Sequence, residues 1–307
     1  MYFKYIPNSD FNNRITSGDS GSGIYAYDKM KNEWVLLGVV SQSTGTETNA
    51  GNVAYIAAVS NKDLQGYKSK FEQTIDLKNN SWTLKKPDGG KIQLENGTET
   101  KPLNDNKDII FSSGGGTIIG ITVETDIELN KSGYAGGFVF KSSTTPTTYK
   151  FTNANKDGKT TTHFFKGSGL DIGEKVKVEW ALKGVSGDSL HKIGKGELVI
   201  TTQNTETTGL GTLKIGEGKV TLDTTTKAFD NIYITSGRGE LALTQGKATA
   251  LGATNGTTSA NTINSGATSA NSYKLAQENT NNMGFYFGKG GGKFDLAGNS
   301  LVLNTIA

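Results

Sequence analysis

The 307 residues hold 34% hydrophobic side chains and 41 Gly, against a usual ~45–50% apolar and ~7% Gly, which excludes a helical bundle. Only 4 Pro, no Gly-X-Y period, and 3 Trp, 11 Tyr and 13 Phe exclude collagen and a wholly disordered chain, leaving a Gly-turned, β-rich fold. The 32 basic and 29 acidic residues are interleaved with a net charge of +3, so no basic face that would track nucleic acid is expected.

With no Cys there is no disulfide, thiolate nucleophile or Cys-based metal site. His163 and His191 are the only histidines, so metal chemistry is poorly supplied and neither a metal nor another cofactor is expected. The longest apolar run, Trp34 to Val40, falls far short of the ~18–20 residues of a membrane span. Met1-Tyr-Phe-Lys-Tyr5 lacks the charged start, apolar middle and small-residue cleavage site of a signal peptide.

In chain order, 23–28 and 33–41 read as two apolar, aromatic and β-branched strands joined by the polar Asp28-Lys-Met-Lys-Asn32, an antiparallel hairpin. Val53–Val59 makes a third strand. Asn61 then caps a short helix whose Leu64, Tyr67 and Phe71 share one face.

From Thr74 the grain changes to short β runs divided by Gly, Asn and Asp. Four runs repeat a Gly, one residue, then apolar-x-apolar: Gly196-Glu-Leu-Val-Ile, Gly218-Lys-Val-Thr-Leu, Gly239-Glu-Leu-Ala-Leu and Gly292-Lys-Phe-Asp-Leu. The first three glycines lie 22 and 21 residues apart, the period of a solenoid in which each coil buries its face against its neighbours. A right-handed parallel β-helix of about eight or more coils fits residues 74–307. Residues 246–282, rich in Thr, Ser, Asn, Ala and Gly, read as a low-complexity mobile loop inserted between coils, either a tolerated surface insertion or an adhesive segment.

Thr16-Ser-Gly-Asp-Ser-Gly-Ser-Gly23 is the stretch with chemistry in it. Small residues around Ser20 form a tight loop that can aim Oγ outward and let a substrate carbonyl approach backbone N–H groups. In acyl transfer the N–H groups of Gly18 and Ser20 would hold the oxyanion while a His takes the Oγ proton. Gly-Asp-Ser-Gly also arises in ordinary turns.

The apolar strand Leu36-Leu-Gly-Val-Val-Ser41 follows Ser20 by about the interval seen in trypsin-like serine proteases, and a further strand and a short helix follow as in those enzymes. Residues 1–73 therefore resemble the C-terminal half of a trypsin-like double β-barrel. Asp108-Ile-Ile-Phe-Ser-Ser-Gly-Gly-Gly-Thr-Ile-Ile119, Ala135-Gly-Gly-Phe138, Val178-Glu-Trp180, Leu190-His-Lys-Ile-Gly-Lys-Gly-Glu-Leu198, Ile234-Thr-Ser-Gly-Arg238 and Phe285-Tyr-Phe-Gly-Lys-Gly-Gly-Gly-Lys-Phe-Asp-Leu-Ala-Gly-Asn-Ser-Leu301 come next, in that order. Together they closely resemble the passenger domain of immunoglobulin A protease-like serine protease autotransporters of Gram-negative bacteria, over nearly the whole chain except 246–282.

The resemblance implies an all-β protein, with a trypsin-like unit at 1–73 followed by a β-helical passenger stalk at 74–307. It implies a secreted or surface-exposed serine endopeptidase that cleaves host extracellular proteins, host glycoproteins among them, through an acyl-enzyme. Ser20 would be the nucleophile, Gly18 and Ser20 the oxyanion donors, and Ser41 the start of the strand that pairs with substrate. Arg14, six residues before Ser20, stands where such enzymes carry the floor of the specificity pocket, or else is simply solvent-exposed. Family members also carry an upstream protease half with the triad His and Asp, and a C-terminal outer-membrane barrel. Neither is found in this sequence, which would make it a fragment inactive alone. Asp19 is read as local structure around the oxyanion loop, and His163 and His191 as coil residues. The rival reading is a non-enzymatic β-helical adhesin or stalk in which Gly18–Gly23 is only a turn.

Overall fold

Alternating apolar positions make a strand bury one face only, and a chain of such strands separated by glycine turns closes its core by stacking. In the computed structural model this governs most of the chain. It describes residues 2–5, 23–28, 30, 33–44, 53–58, 61–78, 80–104, 106–112, 116, 118–129, 136–156, 159–251, 262–269, 272–275, 284–299 and 302–304. The chain divides into two compact units, Met1–Lys70 and Phe71–Ala307.

The first unit is a four-stranded antiparallel sheet in the order Tyr2–Tyr5, Val53–Ala58, Glu33–Thr44, Gly23–Asp28. The hairpin expected from 23–28 and 33–41 forms, with Tyr27 opposite Trp34 and Gly23 opposite Val39. The helix Asn61–Phe71 follows, with Lys68 and Lys70 in its last turn, where cations complement the helix dipole.

In the second unit, eight strands run parallel in one sheet: Ser81–Lys85, Ile118–Val123, Thr147–Asn153, Val176–Trp180, Glu197–Ile200, Gly218–Leu222, Gly239–Leu243 and Lys293–Asp295. The antiparallel strands Gln93–Glu95 and Thr100–Pro102 extend this sheet beyond Ser81–Lys85. The second sheet stacks Glu72–Asp76, Asp108–Ser112, Phe138–Phe140, Leu170–Ile172, Ser189–Ile193, Thr212–Ile215, Asn231–Ile234 and Gly284–Gly288 in parallel. Consecutive strands alternate between the two sheets, which is the coiling of a parallel β-helix.

Early coils are longer than the 21- and 22-residue repeat read from the glycines. They accommodate the Gln93–Pro102 excursion and the small hairpin that pairs Asn155–Lys156 with Lys159–Thr160. The core between the sheets is aromatic at this end, with Phe111, Phe138, Phe140, Tyr149, Phe151 and Trp180, and aliphatic further on, with Leu198, Leu213, Val220, Ile232 and Leu241. Trp82 and Trp180 both lie in it, each 1% exposed.

The repeat glycines mark the close approach of neighbouring coils. Gly239 sits directly opposite Gly218, and a Cβ on Gly239 would lie 2.9 Å from the Ile215 carbonyl oxygen and 3.2 Å from Ile215 Cγ2 and Ile234 Cγ2. Gly239→Ala is therefore expected to cost about 1–2 kcal/mol, read as a lower denaturant midpoint with an unchanged slope.

The segment 246–282 holds more structure than its composition announces. Ala248–Leu251 forms a 3-10 turn that buries Ala250 and Leu251. Thr262–Ser269 and Ser272–Leu275 pair antiparallel, and Ser272–Leu275 also pairs antiparallel with Gly284–Gly288. Val302–Asn304 pairs with Thr262–Ser269 rather than with Gly284–Gly288. The hairpin thus enters the sheet between successive coil strands, where backbone hydrogen bonding needs no apolar side chains.

Candidate functional site

The motif at 16–23 leads into the strand Gly23–Asp28. Arg14, Gly18 and Ser20 lie outside the described residues. Ser20 precedes Gly23 by three residues, a reach of about 10 Å at most, and Gly23 faces Val39 across the hairpin.

Two residues beyond Val39 is Ser41, so the exit of the motif and Ser41 share one end of the hairpin. Here Glu33–Thr44 pairs Val40 with Ile56 and then Gln42 with Tyr55, leaving Ser41 as the extra residue of a β-bulge. Past Val39 the strand has Val53–Ala58 on one side and no partner on the other among the described residues. Such an edge can receive an extended peptide by backbone hydrogen bonding. In the same sheet Tyr25 lies directly opposite Leu36, and the pair is 58% and 41% exposed.

Both histidines belong to the second unit. His163 Nδ1 stands 3.2 Å from Asp126 Oδ1, and the same carboxylate oxygen accepts from the Phe164 N–H. Asp126 was not singled out by its sequence; only the parallel pairing of Ile127–Glu128 with Phe165–Lys166 brings it to His163. His191 points outward from Ser189–Ile193, opposite Lys214. Partial desolvation of the ring, then the Lys214 charge, hold its pKa below the ordinary value.

The family model for immunoglobulin A1 protease matches residues 3–61, which span the Gly18-Asp-Ser20-Gly motif and the antiparallel sheet. The serine protease Pet autotransporter of Escherichia coli is 33% identical over 99% of this chain and 20% of its own length. The chain is similar over nearly its whole length to immunoglobulin A protease-like serine protease autotransporters. EspC of E. coli is 32% identical over 99% of the chain and 19% of its own length. The IgA-specific serine endopeptidase autotransporter of Neisseria gonorrhoeae is 29% identical over 94% and 16%. The chain thus spans about a fifth of the length of the curated relatives it matches.

Among solved structures, the passenger domain of the plasmid-encoded toxin of enteroaggregative E. coli is 32% identical and superposes with a TM-score of 0.55, covering 80% of this chain and 22% of that one. The Hap adhesin of Haemophilus influenzae superposes at 0.58 with 21% identity, covering 92% of this chain and 28% of that one. This second likeness is one of fold alone.

Proposed function

We propose that the chain is the part of a serine endopeptidase that carries its nucleophile, Ser20, on the last portion of a trypsin-like double β-barrel, residues 1–73, with a right-handed β-helical stalk at 74–307 bearing the 246–282 insert. The observation that supports this most is the match of the immunoglobulin A1 protease model across residues 3–61, with the Gly18-Asp-Ser20-Gly motif inside it. The exposed Tyr25 and Leu36 pair suits a sheet that packs against further barrel strands.

Ser20 Oγ attacks the scissile carbonyl carbon and its proton passes to an imidazole, while the N–H groups of Gly18 and Ser20 hold the oxyanion. The C–N bond breaks as the imidazolium protonates the leaving amine, and water then hydrolyses the Ser20 ester. Ser41 begins the strand that aligns the substrate backbone, and Arg14 lines the pocket for the side chain before the cut, favouring an acidic one. By the family resemblance the imidazole comes from an upstream protease half, with His163 and His191 as coil residues. The substrates are extracellular host proteins, glycoproteins included, and the product is secreted or displayed on the surface of a Gram-negative bacterium.

The test is labelling by a fluorophosphonate. The secreted full-length gene product should label stoichiometrically at Ser20 and lose the label with Ser20→Ala. The 307-residue chain alone should label at background, because without the base only oxyanion binding is left to assist attack. Full labelling of the isolated chain would sink the assignment of the base, and an unlabelled full-length protein that cleaves peptides would sink Ser20.

A further inference from the structure

The outward residue that follows each repeat glycine alternates in sign. Glu197, Lys219, Glu240 and Lys293 succeed Gly196, Gly218, Gly239 and Gly292, and Lys177 holds the same position one coil earlier. The sheet register lines them up: Lys177 opposite Glu197, Glu197 opposite Lys219, Lys219 opposite Glu240, Glu240 opposite Lys293. Lys219 Nζ reaches Glu197 Oε1 at 3.8 Å, and Lys293 Nζ reaches Glu240 Oε2 at 3.2 Å. Lys177 Nζ lies 2.8 Å from Glu179 Oε1 on its own strand, and Glu197 Oε1 also accepts from the Thr221 hydroxyl at 2.8 Å. Five charges in five consecutive strands therefore read plus, minus, plus, minus, plus.

The apolar code is nearly the same in the three middle strands of the row. Leu198 and Ile200, Val220 and Leu222, and Leu241 and Leu243 all point inward and are interchangeable in size and character. Hydrophobic burial consequently cannot tell a coil from the next but one, and a strand that pairs past its neighbour loops out only about 20 residues, a small entropic cost. Charge can tell them apart. A skip of one coil sets Lys177 against Lys219, Glu197 against Glu240 and Lys219 against Lys293, turning every attraction in the row into a repulsion between strands ~4.8 Å apart.

We propose that this alternating row is a parity code that rejects coil-skipped stacking while the β-helix assembles. Because the groups are partly exposed, their contribution to the finished fold is small, and their effect falls on the choice between registers.

Two variants separate this from ordinary surface pairing, the first of unchanged net charge and the second two charges more negative. The exchange Glu197→Lys with Lys219→Glu leaves two attractive and two repulsive neighbours in the native register, yet makes all three skipped pairs attractive. Reversing all five charges restores alternation. Refolded from denaturant at low salt, the exchange variant should lose several-fold in native yield, the five-fold reversal should match the wild type, and 1 M salt should erase the difference.

The chain has no Cys, so register can be read by cross-linking. Val199 and Ala242 both face Thr221 from opposite sides and are two strands apart natively, but a skipped coil brings them opposite each other. With Val199→Cys and Ala242→Cys, a disulfide should form in the exchange background and not in the wild type. An exchange variant that refolds in full yield without this cross-link would overturn the proposal. So would a five-fold reversal as impaired as the exchange, or a loss of yield that salt leaves unchanged.

Discussion

Phe138→Ala is expected to cost about 3–5 kcal/mol and to unfold the coils around it before the rest of the solenoid. Phe138 is fully buried. Its ring meets Phe111 edge-on at 5.0 Å, Phe165 at 5.2 Å, Phe151 in a stacked arrangement at 6.0 Å and Trp180 edge-on at 6.3 Å. Those partners come from four different strands, in both large sheets and in the small one that pairs Ile127–Glu128 with Phe165–Lys166, so truncation leaves a cavity that no single side chain can swing in to fill. Each coil touches only its neighbours, so the loss stays local. Hydrogen exchange should show protection falling in Asp108–Ser112, Phe138–Phe140 and Leu170–Ile172, with Asn231–Ile234 and Gly239–Leu243 little changed. A uniform drop along the chain would mean that the coils unfold as one unit and that nearest-neighbour stacking is the wrong description.

Contrasts between particular residues explain which parts of this fold could be read in advance. The four Gly-x-apolar-x-apolar runs became adjacent members of one sheet because two local demands coincide there: a glycine where backbones touch and an alternation that buries one face. The opposite sheet was harder to see. Its strands Ser189–Ile193, Thr212–Ile215 and Asn231–Ile234 alternate too, but no one residue type precedes them: Gly211 comes before the second, Asp188 and Asp230 before the others. The hairpin at 262–275 escaped for the opposite reason, as its pairing rests on backbone hydrogen bonds that composition does not display. At the N-terminal motif, residue types named Ser20 and Gly18, and the resemblance to trypsin-like enzymes named Ser41. What they could not give was the bulge at Ser41, which exists only because Glu33–Thr44 and Val53–Ala58 are out of step by one residue there.

Lys192 was beyond such reading, because a lysine is the residue least expected on an inward position of a strand. It is fully buried in Ser189–Ile193. Its ammonium donates to the carbonyls of Gly194, Gly196 at 2.6 Å and Glu217 at 2.8 Å, bridging the turns of two coils. Burial lowers its pKa from 10.5 to about 8, against the pull of Glu217, Asp171 and Glu197 in the other direction. Between pH 8 and 10.5 the unfolded chain therefore binds more protons at this site than the folded one, and stability contributed by the site rises with pH. Below pH 8 the cost of holding the charge in the core is fully present. Above it the amine sheds its proton and the cost fades, a gain of at most about 3 kcal/mol.

Lys192→Met removes both the charge and the donors. At pH 7 the loss of three hydrogen bonds to carbonyls, of which the Gly196 carbonyl keeps the Lys219 N–H, should outweigh the relief of desolvation, for a net loss of about 2–4 kcal/mol. The difference between wild type and Lys192→Met cancels the other lysines and tyrosines that titrate in the same range. Measured by chemical denaturation at intervals from pH 7 to 10, that difference should widen as pH rises. A difference that stays level would mean the site binds no fewer protons folded than unfolded. One that narrows would mean the buried ammonium is stabilised by its carbonyl cradle and carboxylate neighbours beyond what burial costs it, and the sign of the argument would reverse.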